Sequence, residues 1–286
     1  MKKIISIVIP LYNEEKSISS TISSLKYIIK KIANEYNVEI IAVNDGSTDN
    51  TKTILKKIKG IKVIEHPYNL GYGASLKDGL RHSDGEWILI TDADGTYPIN
   101  EIPNLLRYTN DYDMVVGART GKNVSIPLLR LPAKWIIGKI ANFMTGKKID
   151  DVNSGLRVFD RKKALEFIKL YPSGFSFTTT ITLAFITNDY TIKYLPINYF
   201  KRRGKSSIRP IKDFIGFIAL IFRVVMYFKP LKFFFIPGLF SILIGIIYGI
   251  IQLKNSGGLG EFPILFILGG ILICYLGVTA DMIVKR

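Results

Sequence analysis

Two aspartates one residue apart, Asp92 and Asp94, follow the apolar run Trp87–Thr91. Carboxylates at that spacing on a strand end can hold a hard divalent cation, with diphosphate oxygens completing its shell. An Asp-x-Asp alone is equally a solvated turn, so its weight comes from its neighbours. Two further polar groups stand at the ends of apolar runs: Tyr12-Asn13-Glu14 after Ile4–Ile9 and Pro10, and Asn44-Asp45-Gly46-Ser47 after Val38–Val43. Asp45 can accept hydrogen bonds from a base or a ribose. It can also serve a helix start, since Ser47, Thr48 and Asp49 are helix-start residues.

These clusters need elements that carry them to one place. Ile4–Ile9, Val38–Val43, Ile61–Ile64, Trp87–Thr91 and Met114–Val116 read as strands, and Glu14–Glu35, Asp49–Ile58, Gly73–Arg81 and Asn100–Thr109 as helices. That alternation predicts β-α-β units on a mostly parallel sheet. Ligands in open α/β sheets bind at the carboxyl ends of the strands, so the three polar groups converge on one site. Neither the G-x-G-x-x-G turn of a dinucleotide fold nor a P-loop is present, so phosphates are handled by other means.

The chain has 286 residues, a net charge of +16 and 48% hydrophobic residues, which excludes a disordered polyelectrolyte. Its one cysteine, Cys274, excludes an intramolecular disulfide framework. Met1–Pro10 reads as the first strand rather than as a signal peptide. Residues 233–253 and 262–280 lack any charge and are apolar on every face, each long enough to cross a hydrocarbon core of roughly 30 Å. They predict a transmembrane hairpin at about 233–253 and 262–282. Residues 201–232 carry nine basic side chains and one acid, Asp213, and the chain ends in Lys285-Arg286. The positive-inside rule then puts both termini and the soluble domain in the cytoplasm, in a cell-membrane protein with two spans. A juxtamembrane basic segment favours anionic lipid headgroups, not nucleic acid. Residues 211–232 read as an interfacial helix, and Leu131–Phe143 as a second amphipathic helix facing either the membrane or the core.

The motifs now resemble a known family. Ile7-Val8-Ile9-Pro10-Leu11-Tyr12-Asn13-Glu14, Asn44-Asp45-Gly46-Ser47-Thr48-Asp49, Asp92-Ala93-Asp94-Gly95, Gly117-Ala118-Arg119, Asp151-Val152-Asn153-Ser154-Gly155 and Arg203-Gly204-Lys205-Ser206 resemble family 2 glycosyltransferases of GT-A fold. The match is nearest to the dolichyl-phosphate (polyprenyl-phosphate) mannose and glucose synthases. It implies a Rossmann-like catalytic domain over residues 1–210, amphipathic interfacial helices and a two-helix hairpin in residues 233–286. It implies transfer of a hexose from a nucleotide sugar to a polyprenyl phosphate, with Mg²⁺ or Mn²⁺, in a homo-oligomer. By the same resemblance Pro10, Tyr12, Glu14, Val43, Asp45, Asp92, Ala93, Arg203 and Lys205 bind the nucleotide sugar, and Asp92 and Asp94 the metal. Asp94, Asp151 and Arg119 are the catalytic set, and Arg119, Lys134, Lys139 and Ser206 meet the acceptor phosphate. Residues 201–206 form a lid over the donor.

Three departures from the family pattern stand out. The paired acids usual after the second strand are Asn44-Asp45 here. The glutamine that helps hold the metal in the mannose synthases is replaced by Gly95-Thr96, so Thr96 binds the metal through a water or not at all. The lid has Lys201 and Ser207 where Arg and Lys are usual. The absence of a Q-x-x-R-W motif argues against a processive polysaccharide synthase. Asp151 keeps two readings: a general base for a hydroxyl acceptor, on a lipid-linked saccharide or envelope glycan, or a ligand of a sugar hydroxyl when the acceptor is a phosphate.

Overall fold

A computed structural model describes residues 2–124, 138, 139, 141–143, 145–174, 176–201, 219, 222, 225–227, 229–256, 258 and 260–284. Seven strands form one sheet: β1 (Lys3–Leu11), β2 (Tyr36–Asn44), β3 (Lys62–Glu65), β4 (Trp87–Ile90), β5 (Met114–Ala118), β6 (Arg157–Asp160) and β7 (Ile192–Pro196). The spatial order is β3-β2-β1-β4-β6-β5-β7, parallel throughout except that β6 runs antiparallel to both β4 and β5. The five strands read from the sequence are present, and β6 and β7 complete the sheet on the far side of β4.

Side chains alternate across the sheet, as a strand's two-residue period requires. Ile5, Ile7, Ile9 and Leu11 face one layer, which holds α1 (Ile18–Ile32), α2 (Thr51–Lys57) and α4 (Ile102–Leu106). Val8, Ile41, Val43, Ile88 and Ile90 face the other, which holds α3 (Tyr72–Arg81), α5 (Arg161–Glu166) and α6 (Phe177–Thr187). In α1 the buried residues Ile18, Ile22, Leu25, Ile28 and Ile32 recur every three or four positions, the stripe that docks a helix on a sheet. All eleven residues of α6 are buried. Thr182 and Thr187 satisfy their hydroxyls inside the helix, donating to Thr178 O at 2.8 Å and Leu183 O at 2.7 Å, while Thr178 donates to the Asn153 side chain.

At the C-terminus α7 (Pro230–Ser256) and α8 (Glu261–Val284) pack on each other. Both are long and apolar enough to cross a membrane. Phe240, Leu265 and Leu272 are each more than 60% exposed, which a buried core helix would not allow. A third apolar cluster joins Val152, Ile149, Ala141, Leu183, Ile186 and Val225, with Phe233 of α7 packed against it. Of the segment 131–143, residues 138, 139 and 141–143 are described and are helical. Most of the expected interfacial helix at 211–232 lies outside the described residues.

Candidate active site

The register Leu11↔Asn44 brings the ends of β1 and β2 side by side. Asn13 then stitches their two loops together. It takes a left-handed backbone conformation (φ 56°), its N–H donates to Ser47 Oγ at 3.0 Å, and its Oδ1 accepts from Thr48 N at 2.7 Å. The stitching continues with Glu14 N to Thr51 Oγ1 (2.9 Å) and Glu15 N to Asp49 Oδ2 (3.1 Å). Glu14 is buried and accepts from Ser17 Oγ at 2.6 Å. Asn13 is therefore the residue of this motif whose part was missed; its signal is its type, since asparagine tolerates a positive φ and bonds neighbouring backbone.

A cleft of about 380 Å³ opens above these loops. Among its lining residues are Pro10, Tyr12, Glu14, Asp45, Asp92, Ala93 and Asp94 from the sequence reading, and Asn69, Gly71, Tyr72, Ser75 and Gly174, which that reading did not name. Val43 is not among them, because its side chain points into the core with Val8 and Ile41. Asp45 is 3% exposed, and its oxygens accept from Leu70 N and Gly71 N, both at 2.8 Å. It thus holds the turn that leads into α3.

Asp92 and Asp94 stand just past β4. Tyr72 donates its hydroxyl to Asp92 Oδ1 at 3.1 Å. Burial and the nearby Asp92 carboxylate push the Tyr72 phenol well above its usual range, so it remains a donor. Asp94 Oδ1 accepts from Thr96 N at 3.0 Å and Thr96 Oγ1 at 2.6 Å. The Thr96 hydroxyl is directed at Asp94 and orients it. Both carboxylates line the cleft, each with an orienting hydroxyl, and both are hard oxygen donors. No group of three or more His, Cys, Asp or Glu side chains suited to a metal occurs among the described residues. The pair accordingly fits a cation that brings phosphate oxygens as its other ligands.

Outside the cleft lining, Arg119 and Asp151 form a two-pronged ion pair: Nε to Oδ2 at 2.8 Å and Nη2 to Oδ1 at 2.9 Å. The Arg119 N–H donates to Oδ2 at 3.0 Å and the Asn153 N–H to Oδ1 at 3.1 Å. Asp151 is 1% exposed. An ionised carboxylate has about four acceptor sites, and these four donors fill them. Burial disfavours the Arg119 cation, but Tyr97 and the Asp151 carboxylate outweigh it and hold its pKa above the usual guanidinium range. Arg119 also lies over the Tyr199 ring, 5.3 Å from its centroid.

Gly155 couples this pair to the aspartates. Its N–H donates to Tyr97 Oη at 2.6 Å, and a Cβ built on it would lie 2.9 Å from Asp92 Oδ2. Beneath it the fully buried Arg157 donates to Ser154 O (2.9 Å), Thr178 O (3.0 Å) and Thr182 Oγ1 (2.7 Å), tying residues 151–155 to α6. Lys139 is exposed on the helical segment near residue 140. Lys134, Arg203, Lys205 and Ser206 lie outside the described residues.

A cleft at the strand ends, lined by both aspartates of an Asp-x-Asp, agrees with what the family comparison finds. The family described as glycosyl transferase family 2 matches residues 6–167, and the one described as the GtrB C-terminal hairpin matches residues 229–285. The chain belongs to glycosyl transferase family 2. It is a glycosyltransferase of GT-A fold. Among this family's members, the dolichyl-phosphate hexose transferase of Haloferax volcanii is 30% identical over 208 residues, 72% of this chain and 87% of the relative. The bactoprenol glucosyl transferase of Shigella phage SfV is 26% identical over 293 residues, 98% of this chain and 92% of the relative. The fold is shared with a crystal structure of Mycobacterium tuberculosis glucosyl-3-phosphoglycerate synthase in complex with Mn²⁺, UDP and glucosyl-3-phosphoglycerate. That likeness has a TM-score of 0.58 at 18% identity and covers 78% of this chain and 79% of that one.

Proposed function

We propose that this glycosyltransferase moves a hexose from a nucleotide sugar of the GDP-mannose or UDP-glucose type to a polyprenyl phosphate, dolichyl or undecaprenyl, with inversion at the anomeric carbon. The reaction takes place at the cytoplasmic face of the membrane. The observation that carries the acceptor is the saturation of Asp151. A carboxylate with its acceptor sites filled by Arg119 and Asn153 is poorly suited to take a proton from a hydroxyl. A phosphate monoester needs no such base, because its second pKa is near ~6 and it is largely dianionic at neutral pH. The names of the Haloferax and phage relatives and the apolar hairpin support the same acceptor.

The division of labour follows. Pro10, Tyr12, Glu14, Asp45 and Ala93 bind the nucleotide, with Arg203 and Lys205 from the lid. Asp92 and Asp94 hold Mg²⁺ or Mn²⁺, a role supported by the Mn²⁺ in the mycobacterial synthase structure. The cation, when bound, neutralises the leaving diphosphate. Arg119, fixed by Asp151, offers guanidinium N–H groups to phosphate oxygens while Asp151 keeps its fork in one orientation. Lys134, Lys139 and Ser206 assist at the acceptor phosphate. Residues 1–210 form the catalytic domain, 211–232 an interfacial helix and 233–286 the hairpin of a homo-oligomer that needs no nucleic acid.

The test is transfer of radiolabelled sugar from a panel of UDP- and GDP-sugars into organic-extractable lipid, in membranes given polyprenyl phosphate and Mg²⁺ or Mn²⁺. A labelled, mild-acid-labile lipid that disappears with Asp94→Ala is expected. Label appearing only on a lipid-linked saccharide would overturn the phosphate acceptor.

A further inference from the structure

His66 follows β3 and is not part of the machinery described above. Its side chain is 5% exposed and lies between two carboxylates. Nδ1 is 2.7 Å from Asp45 Oδ1, and Nε2 is 3.0 Å from Asp78 Oδ2 on α3. Carboxylates only accept, so a hydrogen bond to either one is donated by a ring N–H. Asp78 is paired on its outer side with Arg81 Nη1 at 3.0 Å. The result is a ladder of polar contacts, Asp45–His66–Asp78–Arg81, from the cleft wall to the surface.

The inner end of this ladder matters most. Asp45 lines the cleft, and the same carboxylate accepts from Leu70 N and Gly71 N. The backbone of His66 is itself fixed, its N–H donating to Asn44 O at 2.9 Å. Asp45, Asn69 and Gly71 thus form one wall whose key carboxylate is held from behind by an imidazole ring. Without that ring, a buried carboxylate loses one of its three partners and the turn at 69–71 loses its brace.

We propose that His66 is a positioning residue for the donor nucleotide, fixing Asp45 and the 69–71 turn in the geometry that binds it. The inference rests on the reading of this cleft as the nucleotide site. The test uses the full chain in detergent micelles with Mn²⁺, measuring the Kd of UDP and of GDP by calorimetry and the donor KM in the transfer assay. His66→Phe raises nucleotide Kd and donor KM together by about tenfold, the scale of one lost charge-assisted hydrogen bond. His66→Gln, which keeps one N–H for Asp45, recovers most of that loss.

A merely structural His66 gives a different result. His66→Phe then lowers the melting temperature while the folded fraction binds with unchanged Kd, and that outcome overturns the proposal. If His66→Phe does not fold, Asp78→Asn weakens the ladder from its outer side and raises Kd about threefold; an unchanged Kd there is equally fatal. Failure of the unaltered protein to bind either nucleotide removes the donor site and this proposal with it. Nucleotide binding that responds to His66→Phe, without transfer to polyprenyl phosphate, keeps the proposal and overturns only the acceptor.

Discussion

Arg119 and Asp151 are 32 residues apart, and nothing in their spacing announces that they share two parallel hydrogen bonds. Each was legible as a member of its own motif; the pairing was not, because the sheet creates it. The pairing changes what a substitution does. Arg119→Lys keeps the charge but loses the planar fork, so kcat/KM falls about a hundredfold with little change in melting temperature. Steady-state transfer assays beside thermal unfolding check this. Gly155 gives a second prediction. A methyl group there would approach Asp92 Oδ2 to 2.9 Å and the Tyr97 ring to 3.1 Å. Gly155→Ala therefore shifts Asp92, the carboxylate proposed to hold the metal, and the Mn²⁺ concentration for half-maximal activity rises by about ten- to a hundredfold. A titration of activity against Mn²⁺ reads it, and an unchanged midpoint would remove Asp92 from the metal site. Asp45 and Asp94 were legible as cleft residues by their place after strands. His66 was not, because a lone histidine beside a proline carries no pattern.

Among the elements, β1 to β5 were legible because each is a short β-branched run ended by a turn signal. β6 and β7 were not. Arg157 opens β6 with a buried cation, and β7 sets Lys193 and Tyr194 between Ile192 and Leu195, with no two-residue alternation to mark a strand. In α6 the run Thr178-Thr179-Thr180-Ile181-Thr182 has strand propensity, and full burial makes it a helix. Asp113 holds the late strands in register. It accepts from Thr191 N at 2.7 Å and Thr191 Oγ1 at 2.9 Å, and it pairs with Lys163. Burial works to raise its pKa, but the Lys163 ammonium and the Thr191 donors outweigh that and hold the carboxyl below its usual range. A depressed carboxylate stabilises the fold above its unfolded pKa and loses that contribution as pH falls through the folded value. Asp113→Asn consequently costs about 1 kcal/mol at pH 7, solvent screening keeping the figure modest. The gap between the two proteins closes as pH drops below about 4. Unfolding in micelles from pH 7 down to pH 3 measures it; a gap constant with pH would deny Asp113 this role.

Over the whole molecule, the two long apolar helices were legible because each is an uncharged run of the right length. The hairpin is closed by glycines facing each other: a Cβ on Gly270 would meet Gly238 O at 2.6 Å, and one on Gly238 would meet Cys274 Sγ at 2.5 Å. Without a hydrophobic drive between helices in lipid, such close backbone approach is what holds them together. The hairpin joins the catalytic domain through Phe233 on the cluster that contains Val152, next to Asp151. Lys232 Nζ also donates to Phe143 O at 2.6 Å. The segment around Val152 and the start of α7 therefore share one apolar core, and the proposed reaction needs its acceptor phosphate on the side where the basic segment lies. That requires the turn between the helices to face outward. In a chain carrying Cys274→Ala, Ser256→Cys reacts with a membrane-impermeant maleimide added to intact cells, whereas Lys2→Cys reacts only after the cells are opened. The reverse pattern would put the cleft on the outer face, away from cytoplasmic nucleotide sugars, and the proposed reaction would then lack its donor.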